Sequence, residues 1–294
     1  MKKLKNLFIY ILVVVIKFVL SVIPFRMALS LSFPLSRIAY ILAKRERRIA
    51  SENIKRVLGL EKPSKLIKDV FYYAGLNFIY ALRQTKLGHE EILSQWVEVK
   101  GNDTMQEAYK RGKGVVCVTG HTGCWELVAT SIAALGYPTH VVARSLYDPR
   151  FNDMLIKHRL KMNVHSHDRD EDVRGMLTAL RQGGLLGILM DQNTRVDSIV
   201  CDFMGYPART PTGAVTLALK TSAAIVPLFM HLDKNGKQVL EILPEIDKTR
   251  YDNLDKKDKV RALTEECNRV IGEQIKKHPE QWVWFHDRWS GFNL

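Results

Sequence analysis

The stretch GVVCVTGHTGCWELVATSIAALG, Gly114–Gly136, decides the reading of this 294-residue chain. Its first part, GVVCVT, has the length and the β-branched composition of a buried strand. Its last part, WELVATSIAAL, has the composition of a helix. Between them, GHTGCWE puts a histidine, two glycines and a carboxylate within seven residues. His121 therefore falls in a strand-to-helix turn and Glu126 in the first helical turn. Were all seven helical, positions five apart would point about 140° away from each other. Gly120 and Gly123 permit the bend that would let the pair meet. At such a turn a histidine can take a proton from a hydroxyl, while a carboxylate on its other nitrogen fixes the tautomer and stabilises the imidazolium. The same residues also fit a plain helix start, with Glu126 favouring the N-terminus and His121 capping it. A third use makes Cys124 a nucleophile activated by the helix N-terminus, with His121 as its base.

The alternation continues outward from about Trp96. VEVKG precedes DTMQEAYKRGK, THVVARSL precedes PRFNDMLIKHRLKM, and DVRGMLTALRQGG leads into LLGILMD. TPTGAVTLALKTS then leads into AAIVPLFMHL and KQVLEILPEI. Strands alternating with helices predict an α/β fold, a mixed, largely parallel sheet flanked by helices, with functional loops at the strand carboxyl ends. Residues 45–95 read as helices, with Pro63 opening and Gly88 closing a long apolar-periodic run.

Leu7–Pro24, 18 residues apolar except for Lys17 and Ser21, sits at the short end of a bilayer span of about 20 residues. No small-residue cleavage site follows it. Lys17 counts against a clean span, because a central lysine costs roughly 2.5–3.5 kcal/mol, less when it snorkels. The segment predicts an N-terminal hydrophobic membrane helix, spanning or lying deep in the interface, against the alternative of a buried core helix. Arg26–Ala43 is again apolar at helical spacing and ends in KRERR, Lys44–Arg48, a basic cluster suited to an anionic leaflet. The basic MKKLKN before the first apolar stretch and KRERR after it leave the orientation open. The chain divides accordingly into a membrane anchor over 1–25, a helical membrane-proximal segment over 26–95 and a catalytic α/β core over 96–294.

Lys and Arg number 44 against 31 Asp and Glu, a formal charge of +13. That excess favours an anionic partner: an anionic membrane surface, an acidic protein or substrate, or nucleic acid. No nucleic-acid module of known pattern is visible and the apolar N-terminus would be unexplained, so nucleic acid is not an expected partner. The cysteines form no C-x-x-C pair and the histidines show no ligand spacing, so neither a metal nor a disulfide framework is expected. There is no dinucleotide fingerprint or Walker loop, hence no expected cofactor. No G-x-S-x-G nucleophile accompanies His121, so the reacting hydroxyl belongs to the substrate, which describes direct acyl transfer to an alcohol. Asp191, ending LLGILM, stands where α/β folds place functional side chains, or caps a turn. Arg209 and Thr210 precede an expected helix start at Pro211 and Gly213, a place for an anion such as phosphate or for simple capping. The H-x-H of His165 and His167 reads as a solvated polar loop, and WVWFHDRW, Trp282–Trp289, as an amphipathic packing segment.

GHTGCWE after an apolar strand resembles the H-x-x-x-x-D/E signature of glycerolipid acyltransferases, in the Glu variant of the late acyltransferases of lipid A biosynthesis. Later blocks agree in the same order: VVARSLYDPRFNDMLIKHR with Arg144, Asn152 and Arg159, then GILMDQN, FMGYPARTPTGAVTLALKTSAAIVPLF and HPEQWVWFHDRW. The resemblance covers about residues 5–290. Cys124 stands where Asn is more frequent and Met204 where a second aromatic is usual. The resemblance implies that His121 deprotonates the acceptor hydroxyl and that Glu126 orients it. Arg144 and Arg159 would bind phosphate or stabilise the oxyanion, although both also fit surface charge, Arg159 within the basic face KHRLK. Asp191, Arg209 and Thr210 are further substrate-binding candidates. It also implies an enzyme of the cell inner membrane with its catalytic domain on the cytoplasmic side. The donor would be acyl-carrier protein or acyl-CoA, and the acceptor a phosphorylated glycolipid, a lipid A precursor first and a phosphatidylinositol mannoside second. A membrane esterase, with water replacing the alcohol, is the remaining alternative.

Overall fold

The computed structural model describes residues 2–194 and 196–291, with the side chains of residues 2–5, 7–9 and 12 outside the description. The lysine side chains of the opening MKKLKN therefore lie outside the described residues. Four helices come first: α1 (Lys2–Val22), α2 (Phe25–Leu42), α3 (Lys44–Leu58) and α4 (Ser64–Arg83). A single turn, α5 (His89–Glu91), leads to β1 (Val97–Lys100), α6 (Asn102–Lys110), β2 (Val115–Thr119) and α7 (Trp125–Ala134). Then follow β3 (Thr139–Ala143), α8 (Pro149–Lys161), β4 (Val164–Asp168), α9 (Val173–Arg181) and β5 (Leu185–Leu189). The chain continues through β6 (Ser198–Phe203), β7 (Tyr206–Pro211), α10 (Gly213–Thr221), β8 (Ala224–Leu232), β9 (Gln238–Ile242) and α11 (Lys256–Lys277).

Seven strands make one sheet in the order β1-β9-β8-β2-β5-β3-β4. The run from β8 to β4 is parallel; β9 is antiparallel to β8, and β1 is parallel to β9. This is the α/β architecture with a mixed, mostly parallel sheet that the alternation predicted. β2 lies between β5 and β8 and is buried at all five positions, which is why it reads as a continuous apolar run rather than an alternating one. Val116 and Val118 enter the core on one face with Ile54, Ile225 and Ile271. Val115 and Cys117 enter the other with Met105, Leu127 and Val226. The early helices share these cores through Ile54, Val70 and Tyr80.

Two elements were not legible from pattern. β4 contains the H-x-H read as a solvated loop, yet it is the edge strand beside β3. His167 is not solvated: its Nε2 lies 3.0 Å from His140 Nδ1 and its Nδ1 2.6 Å from an Asp172 oxygen. The β6–β7 hairpin is closed by Met204 and Gly205, both at positive φ (58° and 91°), the conformation of a two-residue turn that matches strand twist. Met204 there packs against Gly272 of α11.

The expectation of a spanning N-terminal helix is not met: among the described residues no helix is long and apolar enough to cross a membrane. Lys17 interrupts the apolar run of α1 and lines internal cavities, while Phe18 of the same helix is 65% exposed. The carboxyl end of α1 is tied down by Arg83, whose Nη1 donates to the carbonyls of Leu20, Ser21 and Ile23 at 2.7, 2.9 and 2.9 Å. A guanidinium at a helix C-terminus satisfies otherwise orphaned carbonyls.

Gly123 in the turn after β2 has φ +53°, and a Cβ there would lie 2.1 Å from the Met230 carbonyl oxygen. Gly123→Ala should therefore destabilise the protein by more than about 2 kcal/mol, measured by denaturant unfolding. A loss under about 0.5 kcal/mol would show that the loop does not need this backbone conformation.

Candidate active site

The register of β2 with β5 builds the site. Thr119 pairs with Leu189, so residues two beyond each strand end, His121 and Asp191, emerge side by side at the sheet's carboxyl edge, where α/β folds gather functional loops. Asp191 Oδ1 is 2.8 Å from His121 Nδ1, and Oδ2 accepts the His121 backbone N–H at 2.7 Å and the Trp282 indole N–H at 2.7 Å. Asp191 is wholly buried, whereas the His121 side chain is 23% exposed. Burial alone would raise the Asp191 carboxyl, but the adjacent His121 charge and the three N–H donors together hold it down to about 2. An ionised carboxylate only accepts, so the hydrogen of this bond is on Nδ1 of His121, and in the neutral imidazole Nε2 is then the nitrogen with the lone pair.

The loop around this pair is held by glycines and by the chain's end. A Cβ on Gly120 would sit 3.1 Å from Asp191 Oδ2, so glycine lets the carboxylate close under the turn. The segment after α11 runs alongside: Gly123 N donates to Gln281 O at 2.9 Å and Val283 N to His121 O at 3.3 Å. The Gln281 amide clamps the backbone of Leu232 at 2.7 and 2.8 Å. WVWFHDRW does pack, but it also delivers Trp282 to Asp191, a role that hydropathy alone did not reveal.

Glu126 is not the carboxylate partner of His121. Both its oxygens accept from Arg159, at 3.0 Å from Nε and 2.6 Å from Nη2, and Arg159 Nη1 also reaches Ser166 Oγ at 3.3 Å. The cause is directional: Glu126 leaves the first turn of α7 toward α8, while the His121 ring turns back beneath the loop to β5. Arg159 is correspondingly fixed in the site instead of lying on a solvated basic face. Cys124 is fully buried, its Sγ faces the Asn77 carbonyl at 3.4 Å, and burial pushes its thiol up to about 12, which removes the thiolate that a nucleophile needs.

Two cavities meet here. One, of about 500 Å³, has almost wholly apolar walls from α1, α4, α7 and α8, including Val70, Phe78, Cys124 and Phe151. The other, of about 520 Å³, is lined by His121 with Arg144, Arg159, Arg169 and Lys220. Trp125 and Glu126 line both. Arg144 lines this polar cavity; Lys220, within the recognised block Phe203–Phe229, and Arg169, outside the blocks, line it as well. Arg209 and Thr210 line neither cavity. Arg209 is exposed on β7, and Thr210 is buried, its Oγ1 accepting from Arg288 Nη2 at 2.7 Å and Asn268 Nδ2 at 2.9 Å. Thr210 is thereby committed to holding the hairpin and the chain end together.

Because the Asp191 carboxyl is held at about 2, below its ordinary 3.8, its contribution is fully present above about pH 4 and is lost as pH falls toward 2. Asp191→Asn should lower stability at pH 7 by about 2 kcal/mol or more and flatten the acid limb between about pH 4 and 2. It should also release the His121 tautomer, read as a change in its imidazole nitrogen shifts by NMR. An unchanged acid limb and unchanged shifts would remove Asp191 from the pair.

The family of bacterial lipid A biosynthesis acyltransferases matches residues 2–290. Among the relatives, the lipid A biosynthesis lauroyltransferase of Escherichia coli is 24% identical over 278 residues, 91% of this chain and 87% of the relative. The lipid A biosynthesis palmitoleoyltransferase of Escherichia coli is 23% identical over 282 residues, 91% and 86% of the two chains. A phosphatidylinositol mannoside acyltransferase of Mycobacterium tuberculosis is 23% identical over 248 residues, 81% and 75%. With the match running through all the elements that build the sheet and its carboxyl-edge site, the chain belongs to the bacterial lipid A biosynthesis acyltransferase family and is an acyltransferase.

Proposed function

We propose that this protein transfers a fatty acyl group from a thioester donor, acyl-carrier protein or acyl-CoA, to a hydroxyl of a phosphorylated glycolipid, with a lipid A precursor as the leading acceptor. The observation that carries the chemistry is His121 held through Nδ1 by the buried Asp191 carboxylate. Nε2 takes the acceptor's hydroxyl proton as its oxygen attacks the thioester carbonyl carbon. Asp191 stabilises the imidazolium without taking the proton, as in hydrolase triads. Collapse of the tetrahedral species breaks the C–S bond, and the imidazolium returns the proton to the departing thiolate. The balance needs no metal, cofactor or protein nucleophile. Glu126 acts as a positioning residue: it holds the Arg159 guanidinium in the polar cavity, where a planar cation suits an oxyanion or phosphate.

The apolar cavity supports a place for the acyl chain, and the polar cavity, with Arg144, Arg169 and Lys220, a place for a charged headgroup. The relatives include a phosphatidylinositol mannoside acyltransferase beside the lipid A biosynthesis lauroyltransferase, so a mannosylated phosphoinositide is the second acceptor to test. Water in place of the alcohol would make the same centre an esterase; free fatty acid without acylated acceptor is the product that would reveal it.

The reading includes attachment to the cytoplasmic face of the cell inner membrane through α1 and α2, lying in the interface. Phe18, Val22, Phe33, Ile38 and Leu42, the last 75% exposed, present apolar surface there, and Lys44, Arg45 and Arg48 follow directly, also exposed. Apolar insertion with adjacent cations is how interfacial helices hold an anionic leaflet, about 1 kcal/mol per near-surface charge.

With detergent-solubilised protein, both thioester donors and a lipid A precursor, mass spectrometry should show a gain of one acyl chain. His121→Ala should lower kcat by at least about 10³-fold and Asp191→Ala by at least about 10²-fold, while Trp282→Phe should cost roughly tenfold. A folded His121→Ala variant with near-normal turnover would sink the proposed base. In vesicle flotation, Phe18→Glu with Ile38→Glu should release the protein from anionic vesicles; equal binding by this variant and the unaltered chain would place the membrane contact elsewhere.

A further inference from the structure

Lys17 is the only charge between Leu7 and Pro24, and it does not face outward with its apolar neighbours. It lines the apolar cavity and also a second pocket of about 510 Å³ between α1 and α8. The α8 side of that pocket is one helix face, Arg150, Asp153, Met154, Lys157, His158 and Lys161, spaced at three and four residues. Tyr10 and Thr85 complete it.

The charges of this pocket do not cancel. Arg150 is taken by Asp148, with contacts of 3.0 and 2.7 Å, and covers the Tyr10 ring. Lys161 Nζ donates to the Thr85 carbonyl at 2.7 Å, which satisfies one donor without neutralising its charge. Among the described residues Asp153 is the single carboxylate on the wall, against Lys17, Lys157 and Lys161. Lys17, Met154 and His158 line both this pocket and the apolar cavity, so the two spaces adjoin. At their junction burial lowers the His158 pKa to about 4; Glu126 opposes the shift, and Lys17, Arg159 and Lys161 add to it. Its Nε2 is buried without a partner among the described residues.

We propose that the pocket between α1 and α8 is a phosphate site for the amphiphile whose acyl chain fills the apolar cavity, with Lys17, Lys157 and Lys161 as its cations. The inference rests on the acyltransfer reading for the identity of that cavity's occupant. Ammonium groups bind phosphate as point charges, and placing them beside an apolar slot selects a molecule with both parts. Two sources share this chemistry: the phosphate of a phosphopantetheine-linked acyl donor and the phosphate of a membrane lipid.

The test is calorimetric binding to the full chain in non-ionic detergent, with four probes. Lauroyl-CoA and dilauroyl phosphatidic acid carry the phosphate; lauroyl-pantetheine and dilauroylglycerol are their uncharged counterparts. Lys17→Glu with Lys157→Glu should weaken at least one phosphorylated probe tenfold or more and leave the uncharged probes within twofold, whereas Lys17→Arg should bind as the unaltered chain does. Loss confined to lauroyl-CoA assigns the donor's phosphate, and loss confined to phosphatidic acid assigns a lipid's. Unchanged affinity for both phosphorylated probes, or an equal loss for the uncharged ones, overturns the proposal. Should the double reversal unfold, Lys157→Gln on the exposed side of α8 gives the same comparison at smaller amplitude. Binding is read without turnover, so a chain that binds these probes yet transfers no acyl group fails the acyltransfer reading and not this one.

Discussion

Everything at the carboxyl edge of the sheet depends on the burial of the Asp191 carboxylate. A buried charge is tolerated only when its oxygens are fully bonded and counter-charge is near. Here the bonds come from two distant parts of the chain, the turn after β2 through His121 and the final segment through Trp282. The wholly buried Arg288, from the same final segment, supplies opposing charge nearby and stacks over Phe203 at 4.5 Å. Removing either His121 or Trp282 leaves the carboxylate short of a donor. The constraint that holds His121 through Nδ1 is therefore also the constraint that closes the chain's end over the sheet.

A second ion pair is arranged around this one without joining it. Glu126 and Arg159 are both largely buried and bidentate, so the guanidinium is held in one orientation in the polar cavity by a carboxylate that lines both cavities. The H-x-x-x-x-E spacing thus sets two functions side by side: the histidine is served from β5, and the glutamate serves α8.

The first helix presents different surfaces on its two sides. Its outer side is apolar and exposed, as an interfacial helix requires, and Arg83 ties its carboxyl end to α4. Its inner side offers Lys17 to the junction of an apolar cavity and a basic pocket. A lysine that argues against a bilayer span is explained by what lies behind the helix.

Local pattern alone determined much of this protein. The β-branched runs and the helical periodicities between them place β1, β2, β3, β5, β8 and β9 and the helices of the core; the central β2 and β8 read as continuous apolar runs because both their faces are buried. Pattern also marked His121 and put Asp191 at a strand's end. It missed β4, whose histidines disguise an edge strand, and the β6–β7 hairpin, whose turn places a methionine at positive φ. It could not assign His121 its partner, since that follows from the pairing of Thr119 with Leu189 across 70 residues. Nor could it tell that Arg159 is buried by Glu126, that Thr210 is spent on Arg288, or that Trp282 is a hydrogen-bond donor to the site. Short-range chemistry is written in neighbouring residues, whereas which carboxylate meets which nitrogen is decided by strand order, register and the path of the chain's end.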